Sequence, residues 1–293
     1  MLGDHVFAVD VNSRIVQWSW PENANAAANR LTGQIWVQEH EIKPGQLLVF
    51  AATFKAGLVV LEVDPSGRAK PYPRLEGSAD ITGAPFVDHL AGGALLYVPA
   101  GNNLMVFDIS SITEVSAPRR LYSVTTQGDI IGRPVKSVVA GRPAILLSDM
   151  TGLIMAIDAD PRVPDTKRIL GSWPINGTQP TTPVCKNEKS VAYVSVAEGR
   201  VMALDLSHPG QLLWRFPLQG ALGAIAGSPA IGSNGVYVAD ANGVLRCLDP
   251  QTGSERWKAD LGSPAVGGPI AKDGRVFVPL KTGHLVCFEE GDE

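Results

Sequence analysis

The chain has 293 residues, 31 glycines, 22 prolines and a formal net charge of −4. That length holds two average domains or one larger repeat architecture, and the Gly and Pro content favours many short strands joined by tight turns over long helices. Basic residues are scattered rather than gathered into the stripe a nucleic-acid binder shows, and no apolar run approaches a membrane span.

The start, Met1-Leu2-Gly3-Asp4, lacks the basic region and apolar core of a secretory signal. With Met1 native, the expected compartment is cytoplasmic. An extracytoplasmic domain excised from a longer protein stays open as the alternative. A strand pattern begins almost at once, His5 to Asp10, turns at Val11-Asn12-Ser13, and continues Arg14 to Trp18. A polar, Ala-rich insertion follows, Pro21 to Arg30, and then Thr32-Gly33-Gln34-Ile35-Trp36, read as the strand that ends the first unit.

The same sentence recurs down the chain. Gln46 to Thr53 turns at Lys55-Ala56-Gly57 into Leu58 to Asp64, with Tyr72 beyond. Ala94 to Pro99 leads to Leu104 to Asp108 and Tyr122. Ala144 to Ser148 leads to Leu153 to Asp158 and, past the longer connection Ala159 to Lys167, to Trp173. Val191 to Val196 leads to Val201 to Asp205 and Trp214. The clearest copy is Gly235 to Trp257, where Asn242-Gly243 marks a tight hairpin because both residues tolerate a left-handed backbone. Arg275 to Leu280 and His284 to Glu289 form the last hairpin.

A further strand precedes most hairpins. Gly83-Ala84-Pro85, Gly132-Arg133-Pro134, Thr181-Thr182-Pro183, Gly227-Ser228-Pro229 and Gly267-Gly268-Pro269 mark its beginning. Proline lacks an amide donor and suits a strand's first residue, while glycine beside it permits close packing. Unit two begins with Val37 to Ile42, without that mark.

Each unit is therefore a four-stranded antiparallel meander of roughly 40 to 50 residues, the length of a propeller blade. One such sheet cannot bury both faces, and stacking several around an axis does. The expected fold is an all-β propeller, 1–293 as a single domain, seven-bladed, with six blades possible if the ends share one and eight if the chain is a fragment. Tyr72, Trp173, Trp214 and Trp257 are expected to wedge between adjacent blades.

The pattern Gly199-Arg-Val-Met-Ala-Leu-Asp205 with Trp214, repeated as Gly243-Val-Leu-Arg-Cys-Leu-Asp249 with Thr252, Gly253 and Trp257, resembles the pyrroloquinoline-quinone-like (PQQ-like) β-propeller repeat family. The resemblance is nearest the non-enzymatic propellers, such as the propeller subunit of the outer-membrane barrel-assembly machinery. That subunit is a lipoprotein, and no lipid-attachment signal stands here. The family's quinoprotein dehydrogenases use a pair of adjacent cysteines and a calcium site. The three cysteines here, Cys185, Cys247 and Cys287, are not adjacent. No catalytic residue, metal ligand or cofactor is carried over, and a quinone-dependent oxidoreductase is disfavoured.

Cys247 and Cys287 stand at the same place in successive repeats and read as small buried hydrophobes. Asp10, Asp64, Asp108, Asp158, Asp205 and Asp249 recur at strand ends, where aspartate accepts turn amides. The five histidines show no metal-ligand spacing, and neither a nucleophile elbow nor a phosphate loop is present.

The sharper constellation lies in the loops before the leading strands. Asp80-Ile81-Thr82-Gly83-Ala84-Pro85 aligns with Asp129-Ile130-Ile131-Gly132-Arg133-Pro134, and Thr178, Ala224 and Pro264 hold the corresponding later places. Asp80, Asp129 and Arg133 are expected to face the channel mouth and hold a cation, an amine or a partner's basic side chain. The plainer reading makes the two aspartates local turn caps neutralised by Arg133. The expected function is a non-catalytic scaffold that binds another protein or protein domain. A small-ligand or cation sensor at the channel mouth is the alternative.

Overall fold

The computed structural model describes residues 5–10, 13–20, 31–39, 43–53, 57–71, 81–90, 93–110, 118–175, 177–186, 190–225 and 227–290. These form strands, with one turn of 3-10 helix at Asp165–Lys167. Among them no helix is long and apolar enough to cross a membrane. The chain divides into two compact units, Met1–Arg133 and Pro134–Glu293.

In the first unit, β1 (Val6–Val9) and β2 (Val16–Trp20) make a two-stranded sheet 1. Sheet 2 runs β3 (Leu31–Glu39), β4 (Leu47–Thr53), β5 (Gly57–Val63), β6 (Ala69–Pro71). Sheet 3 runs β7 (Phe86–Leu90), β8 (Gly93–Ala100), β9 (Asn103–Asp108), β10 (Arg119–Thr125). Strand β11 (Ile130–Val139) leads into the second unit.

There β11 is followed in sheet 4 by β12 (Arg142–Asp149), β13 (Leu153–Asp158) and β14 (Ile169–Pro174). Sheet 5 is β15 (Val184–Lys186), β16 (Val191–Val196), β17 (Arg200–Asp205), β18 (Leu212–Phe216). Sheet 6 is β19 (Ala230–Ile231), β20 (Val236–Ala239), β21 (Val244–Leu248), β22 (Glu255–Asp260). Sheet 7 has three strands, β23 (Ile270–Lys272), β24 (Arg275–Pro279) and β25 (Leu285–Glu289). Every sheet follows chain order, which is the meander of a propeller blade.

The middle strands explain this stacking. All six residues of β16 are buried, whereas β18 and β22 are mostly exposed. A strand covered on both faces favours apolar residues at nearly every position, not at alternate ones. Within each unit the core accordingly lies in layers between consecutive sheets. One layer joins Val139, Leu146, Ile154 and Trp173 to Val194, Met202 and Leu204. Another joins Tyr193, Ala203 and Trp214 to Val236, Val238 and Leu248.

The leading strands begin in close contact, which is why glycine stands there. A Cβ on Gly83 would lie 2.1 Å from the carbonyl oxygen of Gly132, and one on Gly227 would lie 2.0 Å from the amide nitrogen of Gly268. Hydroxyls tie the same region: Ser195 Oγ donates to the Gly227 carbonyl at 2.9 Å, and Ser228 Oγ to that of Thr182 at 2.8 Å.

Three expectations are corrected. Trp36 does not end the first unit: it stands on β3, one unbroken strand that opens sheet 2 opposite β4. The turn in sheet 6 spans Asp240 to Gly243, with the Gly243 amide bonded to the Asp240 carbonyl, and only Gly243 in it has a positive φ, 78°. Cys247 is buried, but Cys287 is exposed. Both hold the same register position, and Cys287 lies on an edge strand.

Candidate functional site

The connections between sheets are held by backbone hydrogen bonds to the hairpin turns. After β14, Ile175 N donates to Gly152 O at 2.9 Å and Ala197 N to Thr178 O at 3.4 Å. After β18, Leu222 N donates to Gly199 O at 2.8 Å and Ala241 N to Ala224 O at 2.8 Å. After β22, Leu261 N donates to Gly243 O at 2.7 Å and Lys281 N to Pro264 O at 2.8 Å. Each connection is thus fastened to the turn of the sheet it leaves and the turn of the sheet it enters. Thr178, Ala224 and Pro264 are geometrically equivalent: each carbonyl accepts from the next turn.

The first unit repeats half of this scheme. Thr126 N donates to Asn102 O, and Ile130 N donates to Gly101 O, both at 2.8 Å. Asp129 is therefore exposed beside the β8–β9 turn, at the head of β11. Arg133, half-buried on β11, sets its guanidinium over the Phe86 ring, 5.0 Å from the centroid. Burial lowers its pKa from the usual guanidinium value. Asp80 and Tyr72 lie outside the described residues, as does the insertion Pro21 to Arg30.

Two acidic groups in this region were not singled out from the sequence. Glu198, in the β16–β17 turn, accepts the Thr178 amide at 2.8 Å and its hydroxyl, and the hydroxyl bond first of all holds its pKa down. Asp240 is buried and pairs with Arg246 at 2.6 Å, which also reaches Glu255 at 3.1 Å. The available signal was an acidic residue one or two positions after the second strand of a sheet, as in Ala197-Glu198-Gly199 and Ala239-Asp240-Ala241.

The large aromatics lie between sheets of the second unit. Trp173 is fully buried against sheet 5. Trp214 Nε1 donates to Pro250 O at 3.0 Å, and its ring lies 5.7 Å from that of Tyr193. Trp257 is half-buried, its ring 5.8 Å from that of Tyr237.

The repeated aspartates act on their own turns. Asp64 accepts Ser66 and Arg68 amides, Asp108 accepts Ser110, Asp158 accepts Asp160, Asp205 accepts Ser207 and His208, and Asp249 accepts Gln251 and Thr252. Asp10 does the same for Ser13, but in the β1–β2 turn, whereas the other five follow the third strand of their sheets. Among the described residues no group of three or more His, Cys, Asp or Glu could hold a metal ion. An open cleft of about 930 Å³ lies in the first unit, lined by Trp18, Trp20, Gln46 and the Lys43–Glu62 ion pair, 2.7 Å apart.

Meandering four-stranded sheets, with a Trp on the fourth strand and an Asp turn before it in sheets 4 to 6, are the features of β-propeller blades. Residues 206–292 match the family described as outer membrane protein assembly factor BamB. The chain is similar to BamB of Nitrosomonas eutropha, 32% identical over 97 residues, which covers 33% of this chain and 24% of that protein. It is similar to BamB of Legionella pneumophila, 34% identical over 104 residues, 35% of this chain and 25% of that protein. The matched stretch thus spans about a quarter of the length of these curated relatives.

Among solved structures, BamB from Moraxella catarrhalis superimposes with a TM-score of 0.66 at 17% identity, over 98% of this chain and 79% of that one. Sqt1 of Chaetomium thermophilum, bound to the N-terminus of ribosomal protein L10, superimposes with a TM-score of 0.67 at 12% identity, over 88% and 72%. At such identities the likeness is one of fold.

Proposed function

We propose that this chain is a non-catalytic binding propeller, one domain over 1–293 with each sheet a blade, that presents its inter-sheet connections to another protein. The observation that carries this reading is the double fastening of each connection in the second unit to two hairpin turns. Loops held on a rigid scaffold keep their shape while their side chains meet a partner. The proposal includes Asp129 and Arg133, and also Asp80, as the polar part of that surface.

Precedent comes from the relatives. One is named as an assembly factor, and another holds a segment of a ribosomal protein. Capture from the source cell, quantified by mass spectrometry, tests the reading with two baits: the native chain and an Asp129→Ala/Thr178→Ala/Lys281→Ala variant. A partner retained by the native chain and lost by the variant supports it. Identical captures, with both baits folded, refute it.

A further inference from the structure

The turn between β20 and β21 contains Asn242-Gly243, and an asparagine before a glycine is the pair most prone to lose its side-chain ammonia. Glycine sets no side chain in the path of its own nitrogen, so that nitrogen can reach the asparagine carboxamide. The chain holds three such pairs, at residues 176–177, 234–235 and 242–243. Asn176 lies outside the described residues, and the Asn234 carboxamide donates to Glu290 O at 3.2 Å. Asn242 is exposed, so water and hydroxide reach it.

The folded turn nevertheless holds this pair apart. The Gly243 amide nitrogen is the nucleophile, and it donates to Asp240 O at 3.0 Å, while Gly243 O accepts Leu261 N at 2.7 Å. The Asn242 amide donates to Asp240 Oδ1 at 3.0 Å. The carboxamide rests on the connection that follows β18: a Cβ on Gly223 would stand 2.7 Å from Asn242 Cγ and Nδ2. The same connection accepts the neighbouring Ala241 amide at Ala224 O, 2.8 Å away. Joining the Gly243 nitrogen to Asn242 Cγ breaks the bond to Asp240 and pulls the carboxamide off Gly223.

We propose that Asn242 is a deamidation site gated by the connection between β18 and β19. When the connection lifts, solvent hydroxide takes the Gly243 amide proton and the nitrogen attacks Asn242 Cγ. The new C–N bond closes a cyclic imide, the carboxamide C–N bond breaks, and ammonia leaves. Water then opens the imide at either carbonyl, giving aspartate or isoaspartate with no change of oxidation state. Residues 216–239 and 261–271, which contain the connections on either side of this turn, include no charged residue. The product therefore sets a carboxylate between two uncharged connections, and isoaspartate also lengthens the turn backbone by a methylene. Ammonia does not return, so the turn keeps a record of how often the connection has opened. The chemistry does not depend on what the surface binds.

The turn between β23 and β24 supplies an open comparator in the same chain. Asp273 is exposed, with φ 51°, and the Gly274 amide donates no hydrogen bond among the described residues. Asp273→Asn places an asparagine before that glycine. The folded full chain is incubated in mildly alkaline buffer, and peptic digests are read by fragment mass spectrometry, which separates position 273 from Asn242 and Asn234. Position 273 is expected to deamidate about tenfold faster than Asn242, since a held turn reacts only in its open fraction. In strong urea the two rates converge. Gly223→Ala pushes a methyl into the carboxamide, and Asn242 should then react about tenfold faster, in step with hydrogen exchange at the Ala241 amide. Equal rates at the two positions in the folded Asp273→Asn chain overturn the proposal, whether or not the Gly223→Ala chain folds. So does a folded Gly223→Ala chain in which Asn242 reacts no faster.

Discussion

Trp214 and Pro250 are joined across two sheets: the indole nitrogen on β18 donates to the proline carbonyl, which also accepts the Tyr193 hydroxyl, both at 3.0 Å. The ring lies so close to the following turn that a Cβ on Gly253 would fall 2.5 Å from it. Trp214→Ala should cost about 3–5 kcal/mol, the usual range for emptying a packed aromatic site. Trp214→Phe keeps most of the packing and should cost about 1 kcal/mol for the lost hydrogen bond. Urea midpoints of the two variants check the order.

Gly253→Ala should also destabilise, for two reasons. Its φ is +70°, and the added methyl meets the Trp214 ring. The left-handed backbone alone costs roughly 1–2 kcal/mol. Placed on Trp214→Ala, the same substitution should cost less, because the clash has gone. Strictly additive denaturation energies would show that the contact is not strained by the methyl.

Much of this arrangement was legible in the sequence, for local reasons. An aspartate that caps its own turn and a proline set directly before a strand, as at Pro85, Pro183, Pro229 and Pro269, act within a few residues, so spacing alone reveals them; Gly132-Arg133-Pro134 misled, because it lies inside β11 and not at its start. Trp36 misled because β3 continues past it, and nothing in Gln34-Ile35-Trp36-Val37 signals whether the chain turns. Cys287 misled because burial depends on the sheet packed against a strand's face and not on the residue itself: Cys247 packs with Val276 and Val278 of sheet 7, and the face carrying Cys287 is exposed. The Glu198–Thr178 contact joins positions 20 residues apart, and no local pattern announces it.

Ser195→Ala is expected to loosen the second unit. Its hydroxyl is fully buried, donates to Gly227 O and lies 3.0 Å from Thr181 Oγ1. Removing it takes a hydrogen bond from the half-buried Gly227 carbonyl, a loss of about 1 kcal/mol. Hydrogen exchange should rise at amides of sheets 5 and 6 before it rises elsewhere in the unit. Unchanged exchange there would contradict a bracing role.

Arg168→Ala should release the connection Ala159 to Lys167. The side chain is 3% exposed, donates to Asp160 O at 3.2 Å and to Val163 O, and pairs with Asp165 at 3.2 Å. Limited proteolysis is expected to cut between residues 159 and 167 in the variant and to spare the native chain. Equal cutting would show that the loop is held by something else.

Acid should weaken the fold through the turn aspartates. In Asp64 the Ser66 hydroxyl bond is the largest cause of a lowered pKa, in Asp108 it is Ser110, and in Asp249 it is Arg256. A carboxylate whose folded pKa lies below its unfolded value of 3.8 contributes fully above that value. Its contribution is lost as pH falls through the folded pKa. Denaturation midpoints should therefore be flat above pH 5 as far as these groups are concerned, and fall steeply towards pH 2. Asp249→Asn should be less stable at neutral pH and show a shallower acid slope than the native chain.

Thr178, Ala224 and Pro264 share one backbone duty and no side-chain chemistry. The shape of that surface is guaranteed by main-chain atoms, which substitution does not remove. Substitution can therefore change the side chains this surface presents, one residue at a time, without changing how it is built. A library randomised at these three positions should yield mostly folded proteins with divergent binding preferences.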